Sequence, residues 1–290
     1  MLSYLKVFVL LGAMVALFGA IGGAVGGQSG MLIALAVAAL MAIGMYLKSG
    51  QLALRAFKAQ LVGPQQAPEL FEIVDRLRQR AGLPMPSLAI APHAQPNAFA
   101  TGRSPEHAVV CVTEGLVQLV NRAEIEGVIA HELAHIKTRD MLLQTVTATL
   151  SGAITNLAQF GLFVPSARRR GSPFGPLAIL LAPVGAMLLQ ATISRTREFE
   201  ADRIGAEISG QPLALASALL KLQTAAQRIP MRVPVPMGAL AQVNPFASAR
   251  AGGLMAWFQT HPPTEERVAR LQAIARATQG AGPDVGPGAG

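Results

Sequence analysis

The chain opens with a long uncharged stretch. Residues Val7 to Tyr46 contain no charged side chain, and Lys6 and Lys48 flank them. A membrane-crossing helix needs about 20 apolar residues, so this length predicts two spans. A polar, glycine-rich break from Gly22 to Gly30 predicts the turn between them. We therefore predict a transmembrane helical hairpin in residues 1–50.

A different hydrophobic pattern follows the hairpin. Apolar positions at helical spacing predict an amphipathic helix over residues 67–81, which should end at Gly82. Short apolar stretches then predict strands at residues 87–91, 97–101 and 107–113. We expect these strands to form a small β-sheet packed beside the next helix.

The next helix is predicted over residues 121–140 and carries the clearest chemical signal. Asn121 can cap its N-terminus, with Glu124 three residues later as in a capping box. Apolar residues recur at helical spacing behind this cap. The centre of the helix reads H-E-x-x-H, formed by His131, Glu132 and His135.

This H-E-x-x-H pattern is typical of a catalytic zinc site. Positions four apart in a helix lie on one face, so His131 and His135 can bind one Zn²⁺. Glu132 beside them is then placed to act as a general base. A catalytic zinc needs a third ligand from the protein. Cys111 is the only cysteine, which excludes a cysteine-rich site and an internal disulfide.

An acidic helix near residue 200 offers this third ligand. In the segment SRTREFEADRIGAE, Glu198 and Glu200 lie about 200° apart on a helix, so they cannot serve the same site. Glu198 shares its face with Asp202, one turn later. This pair can supply one ligand and one carboxylate that holds a ligand histidine by its other ring nitrogen. Glu200 is expected to face water or Arg197.

A second apolar region separates the two halves of this site. Residues 141–164 and 177–193 could each span a membrane, but the first stretch carries many polar side chains. The loop between them holds Arg168 to Arg170. The positive-inside rule places Lys6 and Lys48 in the cytoplasm, which would leave this basic loop outside. Whether the segments 141–164 and 177–193 fully cross the membrane therefore stays open.

These segments predict an α+β, mainly α, fold: transmembrane helical hairpins and a zincin-like catalytic domain with a small β-sheet. The catalytic domain is expected in two parts, at 51–140 and 195–279, separated by the second hairpin at 141–194. Helices are predicted in the second part, and a disordered tail over 280–290.

Composition supports a membrane protein. The mean hydropathy is +0.42 and charged residues make up only 14% of the chain. The net charge is +8, but no basic run is interleaved with aromatic residues. Cations that flank membrane segments explain this excess more simply than nucleic-acid binding, so we expect a lipid bilayer and no nucleic acid as partner.

The motifs also resemble those of one family. HELAH followed by SRTREFEAD is similar to the HtpX-type family of integral-membrane zinc metalloproteases, which is related to the type I CAAX prenyl proteases. NAFATG from Asn97, TEGL from Thr113, HELAHIKTRD, and THPPTEERVARL from Thr260 match in kind and order. The resemblance covers nearly the whole chain apart from the tail. Thr138 stands where many relatives carry Asn, and this small polar departure affects no ligand.

The resemblance implies gluzincin chemistry with one Zn²⁺ per chain. The implied ligands are His131, His135 and Glu198, with Glu132 as the catalytic base. Asp202 is then the carboxylate expected to hydrogen-bond to the other ring nitrogen of a ligand histidine. The resemblance also suggests that substrate peptide adds as a β-strand to an edge formed by Asn97, Ala98, Phe99 and Ala100.

Two further residues resemble a feature of the family, His261 and Arg267. Such a pair could stabilise the oxyanion of the tetrahedral intermediate or bind substrate. The alternative is that His261 merely caps the last helix.

We therefore expect a membrane-bound zinc endopeptidase that hydrolyses membrane or misfolded proteins in stress-related quality control. Its expected location is the bacterial cytoplasmic (inner) membrane, with the catalytic domain facing the cytoplasm. One alternative is a CAAX-type prenyl-protein endoprotease, although such enzymes usually have more spans than four apolar segments allow. The other is a membrane adaptor with a structural zinc, against which the intact Glu132 counts. The sequence leaves the oligomeric state open.

Overall fold

The computed structural model describes residues 2–163, 195–243 and 262–280. This part of the chain is mainly helical, carries one four-stranded mixed sheet and begins with two apolar helical segments, which confirms the predicted fold class. The basic loop at Arg168 to Arg170, the apolar stretch 177–193, His261 and the predicted tail 280–290, apart from its first residue, lie outside the described residues.

Helix α1 runs from Leu2 to Ala56 and is broken at Gly26 and Gly27, inside the predicted glycine-rich turn. Gly27 has a φ of 62°, which a residue without Cβ adopts at little cost. The two parts, Tyr4–Gly23 and Gly26–Ala56, contain 20 and 31 residues and have mean hydropathies of 2.2 and 2.3. Both are long and apolar enough to cross a membrane, and the second continues beyond the boundary predicted at residue 50.

The sheet contains strands β1 to β4 in the spatial order β1-β2-β4-β3. Strands β2 and β4 are parallel, and the other two pairings are antiparallel. Strand β3 therefore lies at one edge, with Phe99 opposite Cys111 of β4. Strand β1 was not predicted from the sequence. The strands are Gln60–Val62, Ser87–Ala91, Ala98–Thr101 and Val109–Thr113.

The helices after α1 agree with the predicted segments to within a few residues. A short helix, α3, precedes the H-E-x-x-H helix, and 3-10 turns occupy Pro105–His107 and Val235–Leu240. The helices are α2 at Pro68–Ala81, α3 at Glu114–Leu119, α4 at Arg122–Thr138, α5 at Met141–Phe163, α6 at Arg195–Ser209, α7 at Pro212–Arg228 and α8 at Thr264–Gly280.

Helix α4 lies at the centre of the described core. It packs against the sheet and against α2, α6 and α7. Its residues Val128, Ile129 and Leu133 are fully buried in the main apolar cluster, together with Leu77 of α2 and Leu219 of α7. Because α4 is enclosed by so many elements, it is almost entirely buried along its length, and its functional side chains are held rigidly.

Both ends of α4 are closed by local contacts. The Asn121 side chain accepts a hydrogen bond from the Glu124 backbone nitrogen at 2.9 Å, and the Glu124 carboxylate accepts one from the Asn121 nitrogen at 2.9 Å. The predicted capping box is therefore present. At the other end Arg139 adopts the left-handed conformation (φ 61°), and its guanidinium lies 5.7 Å from the ring centroid of Tyr4. This contact ties the end of α4 to the start of α1.

Candidate metal centre

Three side chains converge on one point between α4 and α6. The Nε2 atoms of His131 and His135 lie 3.1 Å apart. The two carboxylate oxygens of Glu198 lie 3.9 Å from Nε2 of His131 and 3.7 Å from Nε2 of His135. One ligand atom from each of the three residues falls within 4.8 Å of the others, and all three side chains are buried. A tetrahedral ion with bonds of about 2.0–2.2 Å needs donor atoms spaced in this range.

The protonation of His131 also suits a metal. Its Nδ1 lies 2.9 Å from the Oδ1 atom of Asp202. Since a carboxylate only accepts hydrogen bonds, Nδ1 carries the ring proton and Nε2 keeps its lone pair. Because the Nε2 atoms of His131 and His135 lie only 3.1 Å apart, both can direct a lone pair at the same metal ion. Burial and the neighbouring His131 lower the pKa of His135, which keeps that ring neutral as well.

Arg267 of α8 holds Asp202, the carboxylate partner of His131, in place. It is 1% exposed and donates two hydrogen bonds to Asp202, at 2.8 and 2.7 Å. Its Nη2 atom also lies 3.4 Å from Nδ1 of His131, because both nitrogens approach the same Asp202 oxygen. Burial alone would raise the pKa of Asp202, but Arg267 and His131 outweigh this effect and lower it from 3.8 to about 2.

The charges of this cluster favour a divalent cation. Glu132, Glu198 and Asp202 supply three buried carboxylates, whereas Arg267 supplies one positive charge. With both histidines neutral, a dication would balance the remaining negative charge. Uncompensated charge is costly in a buried site. The donor set, its spacing and its charge therefore all fit the metal that the H-E-x-x-H pattern predicts.

Glu132 has a partner that sequence reasoning missed. Its Oε1 atom accepts a short hydrogen bond from the side-chain amide of Gln242. The Gln242 backbone nitrogen donates to Oδ1 of Asn97 at 3.0 Å, and its carbonyl accepts from Arg267 at 2.9 Å. Gln242 thus connects three of the predicted site residues. It lies in a loop without hydrophobic periodicity, 110 positions from Glu132, so no sequence signal identifies it.

The predicted substrate edge lies beside this centre. Strand β3 begins at Ala98 and packs against α4, and its residues are buried. The Asn97 carbonyl accepts from the Thr113 nitrogen at 2.9 Å. Since the hydrogen-bonding direction alternates along an antiparallel pair, the backbone groups of Ala98 and Ala100 face away from β4. Phe99 packs in a separate cluster with Phe57 and Met237.

The remaining predicted residues lie elsewhere. Glu200 is exposed and pairs with Arg203 at 2.6 Å, rather than with Arg197. Arg267 faces the ligands from the protein interior, so its position favours a role in holding Asp202, and its contact with substrate stays a prediction. The position of His261 lies outside the described residues.

Comparison with known proteins identifies the family of this chain. The profile of Peptidase family M48 matches residues 64–275, which include every ligand candidate named above. The chain belongs to peptidase family M48. Membership in this family implies a metal cofactor and polypeptide substrates, and together with the two apolar helices it makes the chain a membrane-associated metallopeptidase.

Curated M48 relatives match over almost the whole chain. A protein named Protease HtpX homolog from Gemmatimonas aurantiaca is 54% identical over 278 residues, covering 94% of this chain and 100% of that protein. Its namesake from Salinibacter ruber is 49% identical, covering 93% and 97%. That from Ralstonia pickettii is 46% identical, covering 96% and 99%. These relatives confirm the resemblance to the HtpX-type family.

A solved structure also aligns with this M48 chain. The crystal structure of S. mikatae Ste24p matches 93% of this chain with a TM-score of 0.48 and 19% identity. The alignment spans 64% of the Ste24p chain.

Proposed function

We propose that this chain is a zinc-dependent endopeptidase that hydrolyses membrane or misfolded proteins at the cytoplasmic face of the bacterial inner membrane. The observation that carries the proposal is the convergence of His131, His135 and Glu198 beside the buried carboxylate of Glu132. Two imidazoles and one carboxylate are the donor set of gluzincins, and a structural zinc site needs no such base. The basic residues flanking the first hairpin support the proposed orientation.

In the proposed mechanism the three ligands hold one zinc ion. When bound, zinc supplies Lewis acidity, which polarises the scissile carbonyl and lowers the pKa of water towards about 7. Glu132 takes a proton from the attacking water and returns it to the leaving amine. Asp202 keeps the proton on Nδ1 of His131, and Arg267 holds Asp202 in place.

Substrate is proposed to bind along β3. The outward backbone groups of Ala98 and Ala100 can pair with an extended peptide, which would then run beside α4. Strand pairing recognises the backbone of the substrate rather than its side chains, which suits an enzyme that acts on many unfolded polypeptides. His261 and Arg267 stay predicted contributors to oxyanion or substrate binding. The division into a hairpin at 1–50, two catalytic parts, a second hairpin and a tail likewise belongs to this proposal.

The decisive experiment separates metal binding from catalysis. The detergent-solubilised full chain is incubated with an unfolded model protein, with and without chelator, and zinc is measured by elemental analysis. We expect Glu132→Gln to keep its zinc and to lose hydrolysis by about 10²–10⁴-fold. Glu200→Gln, which changes an exposed glutamate, should retain both. An active Glu132→Gln protein would refute the assignment of the base.

The third ligand has its own test. Glu198→Ala should lose zinc, whereas Glu200→Ala should keep it, because Glu200 faces solvent beside Arg203. Full zinc occupancy in Glu198→Ala would instead assign the third position to another carboxylate, such as Asp202.

A further inference from the structure

A cavity lies where α1 emerges from its uncharged stretch, and none of the proposed metal ligands lines it. Its volume is about 510 Å³, and it lies between α1 and the sheet. Leu47 and Leu54 of α1 form part of its apolar wall. Lys48, Ser49 and Arg103 contribute polar groups to the lining. The cavity therefore combines an apolar wall with basic side chains.

The charge pattern of α1 predicts that the cavity lies at the level of the lipid headgroups. Lys48 is the first charged residue after Val7–Tyr46, so it marks the depth at which this helix reaches the headgroups. On the first apolar segment, the Tyr4 hydroxyl donates a hydrogen bond to the Arg103 carbonyl at 3.2 Å. Tyrosine is enriched at membrane interfaces. The loop carrying Arg103 therefore lies at the same depth as Lys48.

Two basic side chains, Lys48 and Arg103, and one carboxylate, Glu106, line the cavity, so its lining keeps a net positive charge. Arg103 donates from Nη2 to Nε2 of His107 at 2.8 Å. Because arginine can only donate, His107 accepts at Nε2 and carries its proton on Nδ1, which lies 3.0 Å from the Ser104 hydroxyl. A hydrogen bond from Ser104 lowers the pKa of the Glu106 carboxyl, so Glu106 is charged, but it pairs with neither Lys48 nor Arg103 among the described residues. Across residues 2–163, 195–243 and 262–280, neither Lys48 nor Arg103 forms an ion pair.

Ser49 gives an independent indication of a ligand. It is 1% exposed, it lines the cavity, and its hydroxyl has no hydrogen-bond partner among the described residues. A buried hydroxyl without a partner is costly, and such a group in a native site calls for an explanation. A ligand with acceptor oxygens would supply the missing partner.

We propose that this cavity binds the phosphate group of an anionic phospholipid. Lys48 and Arg103 would supply charge, Ser49 would donate its hydroxyl, and Leu47 and Leu54 would contact the glycerol and upper acyl chain. A lipid in this position would fasten the sheet to α1. The site is separate from the proposed peptidase centre, so the two proposals stand or fall independently.

The test uses the full chain in detergent and native mass spectrometry with added phosphatidylglycerol. Each basic residue near an anionic surface contributes about 1 kcal/mol, so Lys48→Gln and Arg103→Gln should each weaken lipid retention about fivefold. Arg55→Gln is the matched control, because Arg55 is an exposed cation on the same helix that does not line the cavity. It should change retention by less than about twofold.

Ser49→Ala provides a second measurement that does not depend on charge. It should weaken phosphatidylglycerol retention, yet leave the thermal unfolding midpoint in lipid-free detergent unchanged or higher, because it removes an unpaired buried hydroxyl. An equal loss in Arg55→Gln, equal retention of phosphatidylcholine, or displacement of the lipid by inorganic phosphate would each overturn the proposal.

Discussion

Gly205 of α6 lies directly against the backbone of His131 on α4, where a Cβ at position 205 would stand 2.9 Å from both the nitrogen and Cα of His131. Glycine is therefore required for the close approach of these two helices. This approach brings Glu198, two turns earlier on α6, to the histidines.

Gly205→Ala should consequently impair both stability and metal binding. Overpacking of this kind costs about 1–3 kcal/mol, and the displaced α6 would withdraw Glu198 from the ligand set. Gly152→Ala is the control, since a Cβ there meets nothing within 4 Å. Chemical unfolding and zinc titration of both variants check this expectation. Normal zinc affinity in Gly205→Ala would show that α6 can move without disturbing the site.

Asp202→Asn should weaken the metal site without removing a ligand. The amide is a poorer partner for Nδ1 of His131, and loss of such a partner typically lowers metal affinity about 10–100-fold. Arg267 would also lose its buried countercharge, which we expect to cost about 3–5 kcal/mol of unfolding free energy. Competition with a chromogenic chelator measures the first effect on the folded protein. Asp75→Asn, which changes a surface carboxylate, should show neither effect.

Gln242→Ala should lower kcat/KM by about fivefold, because one hydrogen bond contributes about 1 kcal/mol to the orientation of Glu132. Gln242→Glu should be more severely impaired, since it places a second carboxylate against the base. Both variants should retain zinc. Gln223→Ala, which loses only a surface contact to Glu265, should remain fully active. Higher activity in Gln242→Ala would show that the amide blocks the base rather than orienting it.

Glu124 should make the stability of the chain depend on pH. Burial alone would raise its pKa, but Lys221, the Asn121 backbone and Ser217 outweigh this and lower it below 4.5. A carboxyl group whose pKa is lower in the folded state stabilises the fold above its unfolded pKa, and this stabilisation is lost as pH falls through the folded pKa.

Glu124→Gln should therefore reduce the unfolding free energy by about 1–2 kcal/mol at pH 7, a value that allows for the partly exposed Lys221. The difference from the native chain should shrink progressively below about pH 4.5. Unfolding in detergent at several pH values measures it. Glu69→Gln, an exposed control on α2, should behave like the native chain, and a pH-independent deficit in Glu124→Gln would contradict this account.

Periodic patterns and local chemistry predicted much of this fold. The capping box of α4, the glycine break in α1 and the helix at 195–209 all depend on neighbours in sequence, and all are present. Strand β1 was missed because three residues are too few to show a period. The spacing of Glu198 and Asp202 correctly places them on one face, since helical geometry alone determines it.

Contacts between distant residues could not be predicted in this way. The sequence does not indicate that Arg267 binds Asp202, and only the packing of α8 against α6 reveals this partner. Gln242 reaches Glu132 from a loop whose path depends on tertiary packing. Helical periodicity determines which face a residue occupies, but not which element covers that face.

Helix α1 continues without a break from Lys48 to Ala56, and this determines how far β3 lies from the membrane end of the helix. Ala53 shares a buried cluster with Phe99 of β3. Five residues of helix rise about 8 Å, which an extended peptide covers with about two or three residues. A polypeptide bound along β3 as we propose would thus emerge from the bilayer only a few residues before its scissile bond. In the proposed binding mode, the length of α1 beyond Lys48 would therefore determine how close to the bilayer a bound polypeptide is cleaved.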